Sequence, residues 1–269
     1  MNLFRKPFLL ASLVASGFIY QSMVQAQEVG FNQQNISQVA LDRQQRININ
    51  KTNVSAIFQQ RLPYKVVSID LHESGLYEIV ADRGIFYMNS TGDHLFNGSV
   101  HKMDEDMTNL TQEKKADVGA KVIESIKDTF ITYKAPMERY EIVVFFDTSC
   151  GFCIKMHGEM SRYNAAGITV HYALYDRSGV SQQGKKTPTA TELSNIACSA
   201  NPAMAMNSVM RGGQVAPAKC DDPVAIHYEL GQWLGVTGTP MSFGLNGKVV
   251  LNGYAPVDQL LLQLENSKG

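Results

Sequence analysis

Between Lys65 and Met88 apolar and polar positions alternate in short runs. Val67, Ile69 and Leu71 share one face, Tyr77 and Ile79 stand against Leu76 and Val80, and Ile85 to Met88 closes the set. A period of two marks a half-buried strand. Asp82-Arg83-Gly84 and Ser90-Thr91-Gly92-Asp93 supply Gly-containing turns, so the region reads as a small antiparallel meander. It is too thin for a strong core of its own, and a sheet of this size completes itself by pairing with a second copy or another element.

The period becomes helical between Thr111 and Tyr133. Val118, Val122, Ile123, Ile126 and Phe130 form one stripe, while Glu113, Lys114, Lys115, Glu124 and Lys127 lie off it. Thr111 is the expected N-cap and Pro136 the stop, giving a helix that joins two domains. EIVVFF, Glu141 to Phe146, is a continuous apolar run suited to a buried strand. A helix closing near Gly167 follows, and ITVHYALYD, Ile168 to Asp176, gives the next strand, so the three form a βαβ unit with a parallel pair. From Ser178 to Gly235 strand character is absent: Ala and Met dominate Ala203 to Met210, and Val224 to Leu234 is helical. Val236 to Tyr254 gives two strands around the hairpin signal Asn246-Gly247, and Val257 to Leu264 a last helix.

Ahead of these elements, residues 27–52 are rich in Gln and Asn and read as a poorly ordered or weakly helical lead-in. The first 26 residues carry Arg5 and Lys6, an apolar stretch from Phe8 to Tyr20, and Val24-Gln25-Ala26. This is the plan of a secretory signal peptide cleaved after Ala26. An uncleaved anchor is the alternative, but the apolar stretch falls short of the ~20 residues that span a bilayer. The mature chain is therefore expected outside the cytosol, where disulfides persist. With 269 residues, 44% of them apolar, it can bury a substantial core. A net charge of -1 without basic blocks argues against nucleic acid as a partner.

Chemistry enters with FFDTSCGFCIKMHGEM, Phe145 to Met160. A CxxC between a buried strand and a helix is the arrangement of a redox dithiol. Cys150 would sit at the helix N-terminus, where free amides and the helix dipole stabilise a thiolate, and Cys153 one turn in as the shielded, resolving thiol. Gly151 and Phe152 tune the turn and the reduction potential. A zinc site would need a second CxxC or a paired His motif, and Cys198 and Cys220 lack that spacing. Haem attachment requires His after the second cysteine, where Ile154 stands. His157 and Asp147 are near in sequence, and neither is assigned a role; Asp147 is a conceivable proton acceptor for Cys153. Cys198 and Cys220 bracket the Met-rich segment and read as a structural bridge worth roughly 3 kcal/mol of chain entropy. A second redox pair or a free thiol is the alternative. Thr239-Pro240 before a strand is, on its own, an ordinary turn.

Taken together, the residues resemble the bacterial periplasmic disulfide isomerases of the DsbC/DsbG family. The match is carried by Tyr133-Lys134-Ala135-Pro136, Cys150-Gly151-Phe152-Cys153, His157, Tyr163-Asn164-Ala165, Gly167-Ile168-Thr169-Val170, Cys198 and Cys220, and Gly235-Val236-Thr237-Gly238-Thr239-Pro240. The resemblance implies an α+β N-terminal dimerisation domain, a cystatin-like meander, joined by a linker helix to an α/β thioredoxin-like domain with a helical insertion. The corresponding segments are 1–26 signal peptide, 27–110 N-terminal segment and dimerisation domain, 111–135 linker helix and 136–269 catalytic domain. It further implies that Cys150 attacks, Cys153 resolves, Pro240 is cis, and Thr239 with Pro240 pairs with an extended substrate segment. No cofactor and no metal is expected. Expected partners are misfolded exported proteins with wrong disulfides, a membrane thiol reductase of the DsbD type, and a second copy of the chain. Phe152 stands where DsbC-like proteins usually carry Tyr, and DsbG-like ones carry Pro at the position of Gly151, so Gly151 leans toward the isomerase branch. The alternatives are a DsbG-like reductase of sulfenylated single cysteines and a chaperone whose dithiol is secondary.

Overall fold

The computed structural model describes residues 33–182 and 185–266. The expected signal peptide lies outside the described residues. The described residues divide into two units, the first ending at Asn53 and the second beginning at Val54. Helix α1 (Gln33–Arg61) begins in the first and ends in the second. In the first unit its side chains are largely polar, and Val39 and Leu41 are exposed.

The second unit opens on the last turns of α1, where the reading of the sequence placed no element. Val54 and Phe58, four apart and so on one helical face, are fully buried against Ile69, Ile79, Phe86 and Met88. Burial of that pair carries the helix through a stretch whose polar composition hides it. The partners belong to the expected meander: β1 (Val66–Leu71), β2 (Tyr77–Ala81), β3 (Gly84–Met88) and β4 (Leu95–Phe96), antiparallel in the order β1-β2-β3-β4. Ile79 pairs with Phe86, and the β2–β3 turn closes with Gly84 at φ 140, a backbone open to Gly. The other face presents Val80, Ile85 and Tyr87 to Val118 and Trp233.

Helix α2 (Leu110–Ile126) corrects the reading at both ends. Asn109 is the N-cap, its side chain accepting from the Gln112 N–H at 2.9 Å. Thr111 is buried, its hydroxyl 2.7 Å from that of Tyr87 and accepting from the Val100 N–H. At the other end α2 tightens into a 3₁₀ turn (Lys127–Thr129), and Ile131–Tyr133 form strand β5. The helical stripe ends at Ile126 because an open sheet edge competes for the backbone beyond it: Ile131 pairs with Tyr172 and Tyr133 with Val170.

The central sheet has the order β11-β10-β6-β7-β5. β6 (Tyr140–Phe146) and β7 (Ile168–Leu174) are parallel, and the other pairs are antiparallel. Between them the expected single helix breaks at Glu159 into α3 (Gly151–Gly158) and α4 (Met160–Ala165). A two-residue ribbon, β8 (Ser181–Gln182) with β9 (Lys185–Lys186), interrupts the segment read as strand-free. Helices α5 (Pro188–Ala197) and α6 (Pro202–Val209) follow, then α7 (Val224–Leu234). The hairpin β10 (Met241–Gly244) and β11 (Val249–Asn252) leads to α8 (Val257–Asn266).

Alternate residues of β6 serve two cores. Ile142, Val144 and Phe146 pack with Met156, Tyr163, Leu193 and Leu260, while Val143 and Phe145 pack with Ile123, Leu230, Leu234 and Phe243. Helices therefore cover both faces, which is why β6 reads as a continuous apolar run. The second layer comes very close at Gly231, where an added Cβ would meet the Tyr175 ring at 2.5 Å and Phe145 at 3.0 Å.

Candidate active site

Strand β6 ends at Phe146, and Asp147-Thr148-Ser149 carries the chain to Cys150 at the N-cap of α3. Cys150 is extended, with φ -90 and ψ 120, while Gly151 starts the helix. Only Cys150 can therefore present its sulfur across the open end of the helix, where backbone amides lack partners. Across from it lies the loop after α7, in which Gly235 takes the left-handed conformation and the Thr239–Pro240 peptide is cis. The Cys150 thiol donates to the Thr239 carbonyl at 3.1 Å. The structure thus brings together Cys150, Cys153, Thr239 and Pro240 from distant stretches of sequence.

The two thiols differ in environment. Both are free cysteines, Cys150 nearly and Cys153 fully buried. Burial raises the Cys150 thiol, but hydrogen bonds from the Thr239 side chain, the amides of Cys153 and Phe152, and the Cys153 thiol outweigh it, leaving the group below the ordinary thiol value. Cys153 is pushed far up, first by burial and then by the neighbouring Cys150 charge. Of the two thiols, Cys150 therefore gives up its proton the more easily. Gly151 has open space where a Cβ would stand, and Phe152 is 62% exposed, so both face outward from the turn.

Asp147 is not free to act as a base. One carboxylate oxygen accepts from the Ser149 N–H and hydroxyl at 2.7 and 2.6 Å, the other from the Arg177 N–H and Nε at 3.1 and 2.9 Å. Burial raises it, yet the donations from Ser149 and Arg177 hold it below the usual carboxylate range. Arg177 escaped the sequence reading because it lies 30 residues from Asp147, with no local pattern to join them. His157 is half-buried among Tyr133, Phe146 and Tyr172, with Nδ1 3.3 Å from the Tyr172 hydroxyl. Tyr172 is fully buried and electrostatically coupled to Cys153. Cys198 and Cys220 form a disulfide with Cα atoms 5.5 Å apart, tying the end of α5 to the loop before α7.

Residues 126–268 match the thioredoxin-like domain family and residues 38–112 the disulfide bond isomerase protein N-terminal domain family. The chain is 34% identical to the thiol:disulfide interchange protein DsbC of Dickeya dadantii over 72% of its own length and 78% of that protein's. It is 35% identical to the DsbC of Escherichia coli K12, over 70% of this chain and 75% of that one. The DsbC of Salmonella typhimurium is 32% identical, with coverages of 80% and 88%. Its architecture is the expected α+β N-terminal domain followed by an α/β thioredoxin-like domain with a helical insertion. An isomerase-type N-terminal domain, a thioredoxin-like sheet and a dithiol at the head of its first helix occur here in one chain, which belongs to the DsbC family of thiol:disulfide interchange proteins.

Proposed function

We propose that the protein is a periplasmic disulfide isomerase that reduces or rearranges incorrect disulfides in exported proteins. The Cys150 thiolate attacks one sulfur of a substrate disulfide; a mixed disulfide forms and the other substrate sulfur leaves as a thiolate. That thiolate can attack a different disulfide and in the end return Cys150 as a thiolate, with no net change of redox state. In the reductive exit, Cys153 loses its proton and attacks Cys150, releasing the reduced substrate and leaving a Cys150–Cys153 disulfide. A membrane thiol reductase of the DsbD type would return that disulfide to the dithiol.

The observation that carries this reading is the split between the two thiols at the head of α3. A resolving thiol held protonated by burial delays escape and gives a bound substrate time to rearrange. Thr239 and Pro240, lying against Cys150, are assigned to hold an extended substrate segment by backbone pairing. The meander within residues 27–110 is assigned to homodimerisation, and residues 1–26 to export. Cys150→Ala tests the reading: it should abolish repair of a scrambled-disulfide protein. Retention of full repair would refute it.

A further inference from the structure

Asp147 directly follows β6, three residues before Cys150, and is only 1% exposed. Its backbone N–H donates toward the Cys153 sulfur, which favours the ionised form there. Such a buried anion is costly without a counter-charge, and left unpaired three residues before Cys150 it would disfavour the thiolate. Arg177, just past β7, supplies the counter-charge. Its backbone N–H and Nε both reach the same carboxylate oxygen, and Nη2 donates to the Ser149 hydroxyl at 3.3 Å. Ser149 is also held by the other carboxylate oxygen and directly precedes Cys150. One guanidinium therefore clamps both the buried anion and the residue that presents the nucleophile.

We propose that Arg177 is a positioning residue of the dithiol: it cancels the buried Asp147 charge at the base of the loop that leads to Cys150 and, through Ser149, holds that loop so that Cys150 sits at the head of α3. The inference rests on the redox reading of Cys150 and Cys153. Each cysteine faces the other's sulfur, and Tyr172 lies behind Cys153; the Asp147–Arg177 pair is the charged element flanking this group. Arg177 is coupled electrostatically to both cysteines as well as to Asp147. Its side chain is 45% exposed, so solvent weakens the coupling without removing it.

The test is the pH dependence of Cys150 alkylation by iodoacetamide in the reduced full chain, with circular dichroism confirming the fold of each variant. Arg177→Gln leaves Asp147 unpaired and should raise the midpoint by about one pH unit, roughly a tenfold loss of thiolate at neutral pH. Arg177→Lys keeps the charge without the fork and should shift it less. Asp147→Asn combined with Arg177→Gln removes both charges and should return the midpoint toward that of the native chain. An unchanged midpoint in Arg177→Gln, or a double variant that keeps the full shift, would overturn the proposal. If Arg177→Gln does not fold, the lysine and double variants decide the matter against the native chain. A native Cys150 that titrates at or above the ordinary thiol value would instead sink the redox reading beneath it.

Discussion

His227 offers a direct check on how the core that supports the site is held. It is fully buried on α7, accepting from the Leu174 N–H through Nδ1 at 3.0 Å. Nε2 must then carry the hydrogen and donate to the Thr129 hydroxyl at 2.8 Å, and that hydroxyl in turn donates to the Ile126 carbonyl. The ring thus ties α7 to the end of β7 and to the end of α2. Burial, opposed only by Asp222, brings its pKa from 6.5 down to about 3.

The sign follows from proton counting. Between pH 6.5 and about 3 the unfolded chain binds a proton at this site and the folded chain does not. Stability is therefore complete above pH 6.5 and is lost as pH falls through that window, by about 1.4 kcal/mol per unit. At pH 5 the loss is about 2 kcal/mol. His157 and His171, also lowered by burial, add to the fall in the same direction. The difference between the native chain and His227→Asn isolates the one residue. Asn keeps an acceptor for the Leu174 amide but loses the donation to the Thr129 hydroxyl and the packing of the buried ring, which costs about 1–3 kcal/mol at pH 7. In urea unfolding at pH 7 and pH 5, that penalty should shrink by about 2 kcal/mol at the lower pH. A penalty that is the same at both would refute a neutral, buried His227.

Two further outcomes follow from the packing and the thiol geometry. Cys153→Ser removes the resolving sulfur while leaving Cys150 at the head of α3, so mixed disulfides with substrate should accumulate on non-reducing gels; their absence would remove Cys153 from the escape step. Gly231→Ala forces a methyl group against the Tyr175 and Phe145 rings, and denaturant unfolding should show a loss of about 1–3 kcal/mol; an unchanged midpoint would mean that α7 can retreat from the sheet at no cost.

Much of the site was legible in the sequence because its chemistry is local. CxxC between a continuous apolar strand and a helical pattern places one thiol at a helix start and the other one turn in, and α3 begins at Gly151 accordingly. Val224–Leu234 matches its expected helix end to end. The misreadings arose where a distant partner overrides local preference. Thr111 has the side chain of a cap, yet Tyr87 and the Val100 amide claim its hydroxyl, and Asn109 caps α2 instead. Phe130 continues a helical stripe, yet the open edge of β7 offers a ladder to the residues just beyond it, Ile131 to Tyr133.

By itself, then, the sequence determined the meander, the strand–helix–strand frame of the reactive pair, the pair itself and the likeness to a known family, because periodicity and cysteine spacing act over a few residues. Only the tertiary structure decided what surrounds the pair. The Thr239 carbonyl at Cys150, the Arg177 clamp on Asp147 and the His227 tie between α7 and β7 join residues 89, 30 and 53 positions apart. Contacts at that separation exist only once the sheet has formed and its helices have closed over both faces, since the burial that makes them strong belongs to the fold as a whole.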